Sequence, residues 1–485
     1  MPTTQPLTAG IVGAGIAGLS AAIALRRAGL EVHMYERSQF KNEIGAAISA
    51  PPNATAALRR WGFDFDAAKT VPNLSIRYAS GEDLRTTIEL VYEDIESVMG
   101  SPCLSFHRAD LHSGLRALAT EDERQDSEGG NGGGKGKGIP VTIHLGCEVQ
   151  GVDCENGVLM LADGTHVQKD LVIIADGAHS KLLADFLGHP APVQSTGRSI
   201  YRWLVSMDEV MANPVLAAQY CDKLPGFLGW IDAPNRILWV TYTCRGGSVL
   251  NNAVVHDTAV HDPSQDQGED NEIDMLWHAP AATDTVLATL SNFHPAARGI
   301  VPMASEDGIV EHRLFHRPPL ESFVRGKTAV IGDTAHVMMP THAAGAAIAI
   351  ESASVLEVLF KDLESQLGTS PDCDGKGLTS ENRNGIGTQR SVNRDMERTV
   401  RDRLRLFDKI RIPRCNLTML VSNAGPEGLR RPGLEQEIRR FYHGPLPPND
   451  ALPWADEFRE LLFHYDAIQE AERALREENE EGHCV

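Results

Sequence analysis

The sequence lacks the features that mark several large classes of protein. Basic residues are in the minority, with 45 Lys and Arg against 66 Asp and Glu, and the formal net charge is -21. Such a charge disfavours nucleic acid or an anionic membrane surface as a partner. No apolar run approaches the roughly 20 residues that a bilayer-spanning helix needs, and Met1 to Thr8 is too short and uncharged for a signal peptide. We therefore expect a cytoplasmic protein without a membrane span.

The sequence also lacks cysteine patterns typical of metal sites or disulfide frameworks. Its 8 cysteines are scattered and include no C-x-x-C pair, which predicts reduced thiols and no metal site. His312 and His316 stand four residues apart, but the prolines that follow argue against a zinc-binding helix. The glycine-rich segment from Glu121 to Gly138 is not a P-loop, because no Ser or Thr follows Lys137. We predict that this segment is a flexible surface insertion.

The strongest signal that is present is a nucleotide-binding motif near the N-terminus. A short apolar run breaks into Gly13, Gly15 and Gly18, spaced as G-x-G-x-x-G, and then into a helical pattern. Gly13 permits the tight turn, Gly15 lets backbone amides approach a pyrophosphate, and Gly18 lets the helix pack against the strand. The next strand ends at Glu36, an acid that can accept both hydroxyls of an adenosine ribose. This order of strand, helix, strand and acid predicts a dinucleotide site.

Two later apolar strands also deliver acidic residues at their carboxyl ends. One strand is followed by Asp176 and Gly177, and the other by Gly332 and Asp333. The carboxyl end of a buried strand is where α/β folds place their ligand contacts. A helix of small residues begins near Ala343, and we predict that its uncapped N-terminus directs the positive end of the helix dipole at a ligand.

Local patterns elsewhere give further expectations. Residues 43–53 are small residues and prolines, so they predict a loop before a helix over 54–61. Residues 71–106 alternate enough to suggest strands, and residues 198–324 suggest a β-rich lobe that builds a substrate wall. The helix over 394–414 is rich in arginine with acids between, which predicts a solvated face and not a nucleic-acid surface.

Taken together, the three strand-end motifs resemble those of the single-component, FAD-dependent aromatic monooxygenases, the para-hydroxybenzoate and salicylate hydroxylase-like family. The resemblance runs from about Thr8 to Arg414 and is closest to the fungal branch that acts on phenols and other secondary metabolites. It implies an α/β fold with a Rossmann-like, GR2-type FAD-binding domain, an interleaved β-rich substrate domain and a helical C-terminal region. The implied division is 1–197 for FAD binding with a β-rich excursion over 71–106, 198–324 for substrate, 325–365 for the return to the FAD domain, 366–390 for a flexible insertion and 391–485 for the helical region.

The family resemblance also implies roles for individual residues. Arg108 lies in the family's H-R-x-x-L pattern, and Asp176 and Asp333 match its D-G and G-D motifs. The implied FAD contacts are Gly13, Gly15, Gly18, Glu36, Arg37, Ala47, Arg108, Val149, Asp176, Asp333, Gly345 and Ala346. Arg202 and Tyr242 match substrate-facing residues of phenol-oxidising fungal relatives, and a guanidinium at Arg202 would favour a phenolate.

Two segments depart from the family pattern near the expected flavin ring. Thr341 to Gly345 stands where many relatives have a glutamine, and Gly45 to Ile48 reads G-A-A-I where G-A-G-I is common. Neither change removes a charged FAD ligand. We interpret His336, beside the G-D motif, as structural and not as a catalytic base.

The resemblance implies an oxygen-inserting enzyme. It would use non-covalently bound FAD, NADPH or NADH and O2 to hydroxylate a phenolic, polyketide- or alkaloid-type aromatic metabolite through a flavin C4a-hydroperoxide. An epoxidase, a Baeyer-Villiger-type oxygenase and a flavoprotein that does not oxygenate remain alternatives. A halogenase is disfavoured because the sequence contains no W-x-W-x-I-P segment. We expect a monomer or homodimer.

Overall fold

The computed structural model describes residues 6–40, 46–121, 138–258, 278–305, 308–361, 363 and 385–482. The strands are β1 (Thr8–Val12), β2 (Glu31–Glu36), β3 (Ala47–Ala50), β4 (Val71–Pro72), β5 (Ser75–Ser80), β6 (Thr86–Val91), β7 (Leu104–His107), β8 (Thr142–Leu145), β9 (Val149–Asp153), β10 (Val158–Leu161), β11 (His166–Gln168), β12 (Leu171–Ile174), β13 (Gln194–Ser206), β14 (Gly226–Asp232), β15 (Ile237–Cys244), β16 (Val249–Asp257), β17 (His278–Ala281), β18 (Ile309–His316), β19 (Val324–Arg325) and β20 (Thr328–Val330). The helices are α1 (Ile16–Arg27), α2 (Pro52–Trp61), α3 (Ile95–Met99), α4 (Arg108–Thr120), α5 (Leu182–Leu187), α6 (Met207–Met211), α7 (Pro214–Tyr220), α8 (Thr283–Thr289), α9 (Pro295–Arg298), α10 (Asp333–His336), α11 (Gly345–Phe360), α12 (Gly385–Ser422), α13 (Leu434–Ile438), α14 (Asp456–Phe463) and α15 (Ala467–Gly482). None of these helices is long and apolar enough to cross a bilayer.

A six-stranded sheet in the order β19-β20-β12-β1-β2-β8 organises the first lobe. All of its strands are parallel except β19, and the register places Ile11 of β1 beside Ile173 of β12 and Met34 of β2. Every residue of β12 is buried, as expected for a parallel strand covered on both faces. Helix α1 packs on this sheet with Leu19 and Ile23 in the core. The predicted α/β fold is confirmed.

An eight-stranded sheet in the order β17-β18-β13-β16-β15-β14-β5-β6 forms the second lobe. Because β5 and β6 precede β8 in the chain, the two lobes are interleaved. One face of this sheet packs Trp203, Trp230 and Trp239 into a core of its own. The other face carries Tyr242 and Phe227 toward the C-terminal region.

Several local predictions differ from the structure. Residues 47–50 form strand β3 and not a loop, because they pair with β7. Helix α2 begins at Pro52, two residues earlier than predicted, since proline is favoured in the first turn of a helix. Helix α12 begins at Gly385, within the segment predicted as an insertion. Residues 122–137 of the predicted glycine-rich insertion and most of the 366–390 segment lie outside the described residues.

The prediction of a solvated face on the arginine-rich helix is wrong at two positions. Arg411 and Arg414 are buried and hold Glu351 of α11 between them, at 2.8 and 2.7 Å. Their spacing of three residues places both guanidinium groups on the inward face of α12. Asn53 of α2 also donates to Glu351, at 2.6 Å. Burial alone would raise the pKa of Glu351, but Arg414 and Arg411 outweigh it and hold the pKa below its usual value.

Among the described residues, Glu351 is the only acidic side chain that forms an ion pair with the buried Arg411 and Arg414. Replacing it with glutamine removes this negative charge. We expect Glu351→Gln to lower the free energy of unfolding by about 3–5 kcal/mol, as breaking a buried ion pair does. Urea denaturation at neutral pH measures this effect. The matched control is Glu435→Gln, since Glu435 pairs with Arg439 on the surface, where a loss of at most about 0.5 kcal/mol is expected. Equal stability of the two variants would contradict this account.

Candidate functional site

The three predicted motifs meet at one edge of the parallel sheet. Strands β20, β12, β1 and β2 are consecutive neighbours, and their carboxyl ends lead into Asp333, Asp176, Gly13 and Glu36 respectively. Parallel strands place these ends side by side. The structure therefore brings together acids that are far apart in the chain.

Of the three motif glycines at the junction of β1 and α1, only Gly15 leaves space for a ligand. A Cβ on Gly13 would lie 2.5 Å from the carbonyl oxygen of Ala175, and a Cβ on Gly18 would lie 2.0 Å from that of Gly13. A Cβ on Gly15 would meet no described atom within 4 Å. Gly15 caps α1 without a side-chain hydrogen bond, so the first amides of the helix are open to an anion. This geometry fits the pyrophosphate of a dinucleotide.

Glu36 holds the same turn from the side of β2. Its two carboxylate oxygens accept hydrogen bonds from the amides of Ala14, at 2.8 Å, and Ser38, at 2.7 Å. A carboxylate has about four acceptor positions, so acceptor capacity remains for ribose hydroxyls. Arg37 is exposed next to Glu36. Val149 begins β9 two residues after Cys147, whose amide donates to the Glu36 carbonyl oxygen at 2.8 Å, so Val149 also lies on this side.

The D-G and G-D motifs are joined by the hydroxyl of Thr334. The hydroxyl donates to the Asp176 carboxylate at 3.0 Å and accepts from the Gly177 amide at 2.9 Å. The buried Arg317 reinforces the junction, because its guanidinium donates to the carbonyl oxygens of Ala178, at 2.6 Å, and Thr334, at 3.3 Å. Sequence reasoning missed both residues. The position of Thr334 directly after the G-D motif was a usable signal, whereas nothing in the sequence pointed to Arg317.

The Gly332 turn also packs directly on α1. Gly332 has a φ of 64°, and a Cβ there would lie 2.6 Å from the Cβ of Ala17. Asp333 follows, and more than a third of its surface is exposed. Burial raises the pKa of Asp333, while Arg108 and Arg317 lower it. This combination is that of an acid lining an enclosed cleft.

The N-terminus of α11 opens into the neighbourhood of the same motifs. Its cap, Ala344, makes no side-chain hydrogen bond, Ala346 is only partly buried, and a Cβ on Gly345 would meet no described atom within 4 Å. A flat ring therefore fits against this backbone, as the resemblance implies for the flavin. Ala343 precedes the helix with a φ of 51°, in the left-handed region that costs a non-glycine residue about 1–3 kcal/mol.

The C-terminal region holds the loop before α11 in place. Thr341 donates to the Ser422 carbonyl oxygen at 2.9 Å and accepts at its own carbonyl from the Trp454 indole at 3.3 Å. The ring of His342 stacks on Phe458 with centroids 5.1 Å apart. Burial lowers the pKa of His342 to about 4 and is the main cause that lowers the pKa of His336 to about 3. Such low pKa values make both histidines weak bases, which supports a structural interpretation of His336.

The predicted substrate residues lie on the eight-stranded sheet where it faces the first lobe. Tyr242 donates its hydroxyl to the carbonyl oxygen of Ala47 at 2.8 Å, and the Ala47 amide donates to Asn251 at 3.1 Å. The Nε of Arg202 is buried and has no hydrogen-bond partner among the described residues. Burial lowers the pKa of Arg202, Tyr242 raises it and Arg108 lowers it.

Arg108 links the two sides of the cleft electrostatically, since it acts on both Asp333 and Arg202. Nearby, Arg245 of the second lobe binds Asp110 of α4 through two hydrogen bonds of 2.9 Å. The cleft thus joins an edge that fits a dinucleotide to a surface with Arg202, whose buried Nε has no hydrogen-bond partner in the described part of the chain. Such a site can hold a cofactor on one wall and an anionic or phenolic ligand on the other.

Comparison with known proteins agrees with this geometry. A family model described as pyridine nucleotide-disulphide oxidoreductase matches residues 9–200. The chain is 29% identical over 479 residues to FAD-dependent monooxygenase cfoG of Aspergillus candidus, covering 96% of this chain and 94% of that protein. It is 30% identical over 359 residues to hispidin-3-hydroxylase of Neonothopanus nambi, covering 72% and 79%. A salicylate hydroxylase substrate complex has the same fold, with a TM-score of 0.66 at 22% identity over 97% of this chain and 98% of that one.

Gly15 and Gly18 give opposite predictions for the same substitution. Gly15→Ala adds a methyl group in open space, so stability of the apoprotein should change by less than about 0.5 kcal/mol while FAD affinity falls about tenfold or more. Gly18→Ala adds one against the Gly13 carbonyl, so the apoprotein should lose about 1–3 kcal/mol. FAD fluorescence titration and urea denaturation measure the two quantities. Tight FAD binding by a stable Gly15→Ala protein contradicts the assignment.

Removal of the Thr334 hydroxyl tests the junction between the two motifs. Thr334→Val keeps the shape but leaves Asp176 and the Gly177 amide without this partner, so FAD affinity should fall about tenfold. Thr334→Ser keeps the hydroxyl and serves as the control, with affinity within about threefold of the original chain. FAD titration of the apoproteins reports the difference, and equal affinity of the Val and Ser variants excludes the proposed link.

Proposed function

Because this chain belongs to the FAD-dependent monooxygenases, we propose that it hydroxylates an electron-rich aromatic metabolite, using O2 and NADH or NADPH. The observation that carries the proposal is that Arg108, at the start of α4, lies close enough to both Asp333 and Arg202 to lower the pKa of each. This proximity supports a cofactor edge and a cationic substrate wall on two sides of one cleft. The name of the relative hispidin-3-hydroxylase favours hydroxylation over epoxidation or Baeyer-Villiger oxidation.

We infer that the described residues hold FAD along the edge of the parallel sheet. The amides at Gly15 and the start of α1 would bind the pyrophosphate, and Glu36 would accept hydrogen bonds from the ribose. Asp176, Asp333 and the backbone at Gly345 and Ala346 would hold the rest of the cofactor. When bound, FAD supplies the redox chemistry between the reduced nicotinamide, O2 and the substrate.

Arg202 acts on the substrate side in this proposal. Its guanidinium binds a phenolic oxygen and favours the ionised form, which raises the nucleophilicity of the aromatic ring. Tyr242 forms the adjacent wall, and its hydroxyl fixes the Ala47 carbonyl next to the cofactor. Burial raises the pKa of Tyr242 well above its usual value, so this phenol stays protonated as a donor.

In this proposal an aromatic cluster of Trp454, Phe227 and Tyr242 limits the access of water to this side of the cleft. The Trp454 ring lies 4.8 Å from that of Phe227, which in turn lies 5.0 Å from Tyr242. Exclusion of water strengthens the charge interactions of Arg202 with a bound phenolate. A cytoplasmic location and a monomeric or homodimeric state stay predictions.

The proposed reaction is tested with purified, FAD-loaded protein and a panel of phenols. We expect oxidation of NADH or NADPH to accelerate with a suitable phenol and to yield a product that has gained one oxygen atom, measured by absorbance and mass spectrometry. Nicotinamide oxidation that forms only hydrogen peroxide with every phenol would falsify the hydroxylation proposal and favour a non-oxygenating flavoprotein.

The role of Arg202 predicts a change in pH dependence. Arg202→Met should lower kcat/KM for the phenol about 10- to 100-fold at pH 7, because the site no longer favours the phenolate. The loss should shrink as pH rises toward the free phenol pKa near ~10, where solution supplies the anion. Arg202→Lys should retain part of the activity, and Arg236→Met, an exposed change in the turn before β15, should be neutral. A pH-independent loss contradicts the role.

A further inference from the structure

A second cavity lies at one end of the eight-stranded sheet. It has a volume of about 310 Å³ and is lined by residues that include Arg77, Tyr220, Lys223, Met207 and Tyr242. Small-molecule sites have volumes of about 300–1,000 Å³, so this one suits a single-ring or short-chain molecule. Its walls combine apolar side chains with cationic and hydroxyl groups.

Arg77 is a buried cation with few partners. Arg77 is only 5% exposed, and its Nη2 donates a hydrogen bond to the Gln219 carbonyl oxygen at 2.7 Å. Its Nε is buried with no hydrogen-bond partner, and the guanidinium forms no salt bridge, within the described part of the chain. Glu89 stands opposite Arg77 in the β5–β6 register but is exposed and beyond salt-bridge distance. A buried guanidinium without a close carboxylate is costly unless a ligand compensates it.

The cavity also carries a second cation, Lys223, and the hydroxyl group of Tyr220. Lys223 is exposed and lines the cavity, with Asp222 as its exposed sequence neighbour. The Tyr220 hydroxyl lies 2.9 Å from that of Thr241. Burial lowers the pKa of Arg77, while Glu89 and then Tyr220 raise it. Two cations thus face a space whose remaining walls include Val71, Met207, Leu224 and Pro225.

This cavity adjoins the cleft at Arg202, because Tyr242 lines it and also interacts with Arg202, but its cation Arg77 comes from the other face of the sheet. The strand register runs from Arg77 across β14, β15 and β16 to Trp203, so these residues share one face of the sheet. Arg202 precedes Trp203 on β13, and successive residues of a strand point to opposite faces. Arg77 and Arg202 therefore serve opposite faces of the sheet.

We propose that this cavity binds a small organic carboxylate, with its carboxylate on Arg77 and Lys223 and its carbon skeleton against Met207 and Leu224. The planar carboxylate matches the donor geometry of a guanidinium, and the apolar walls favour an organic acid over inorganic phosphate. The proposal does not depend on the monooxygenase reaction.

Calorimetric titration of the FAD-loaded protein tests the proposal with cyclohexanecarboxylate and its neutral analogue cyclohexanecarboxamide. We expect one carboxylate per chain to bind at least about tenfold more tightly than the amide. Arg77→Gln and Lys223→Gln should each weaken carboxylate binding, by about tenfold for Arg77 and less for the exposed Lys223. Lys409→Gln, an exposed change on α12, is the matched control and should leave binding unchanged.

Three results would overturn the proposal. One is equal binding of the carboxylate and the amide, or no binding at millimolar concentration. Another is unchanged binding in both Arg77→Gln and Lys223→Gln proteins. The third is loss of binding in Arg202→Met alone, which would place the ligand in the other cleft. Thermal unfolding of each variant shows whether it is folded, and if Arg77→Gln is not, Lys223→Gln decides.

Discussion

The hydrogen bonds of the Thr334 hydroxyl are the constraint on which the rest of the site depends. This one group bonds to Asp176 at the end of β12 and to the amide of Gly177, while its own residue belongs to the turn after β20. Two acids that the chain places far apart are thereby fixed side by side. Arg317 completes the arrangement by binding the carbonyl oxygens of both turns. The parallel sheet supplies the frame, and these buried bonds set the geometry at its edge.

The second lobe is tied to this edge through backbone groups of one short strand. Both polar groups of Ala47 bond to the eight-stranded sheet, the carbonyl to Tyr242 and the amide to Asn251. The Arg245–Asp110 pair adds a charged contact between the same lobes. Since backbone groups carry no sequence signature, the wall of the cleft beside the proposed cofactor site is shaped by contacts that the residue pattern does not reveal.

Local signals were enough to predict the nucleotide motif, the order of strand ends and the small-residue helix. Each depends on residues close in sequence: Gly13 to Gly18 for the turn, the apolar run before Asp176 for a buried strand. Contacts between residues far apart in the chain could not be predicted from such local signals. Trp454 reaches the Thr341 carbonyl from more than a hundred residues away, and Arg411 and Arg414 are buried because Glu351 lies opposite them. The alternating charges along α12 predicted a solvent-exposed face. Glu351, which pairs with the two buried arginines, belongs to another helix, α11.

The contact between Ala17 and Gly332 has a consequence for how the family can diverge. A Cβ on Gly332 would lie 2.6 Å from the Cβ of Ala17, so there is room for only one methyl group where the two backbones cross. A larger residue at either position requires the first turn of α1 to move away from the G-D turn, and with it the amides around Gly15. Because the φ of 64° at Gly332 also strains any other residue there, glycine should persist at position 332 and a small residue at position 17 across an alignment of the family.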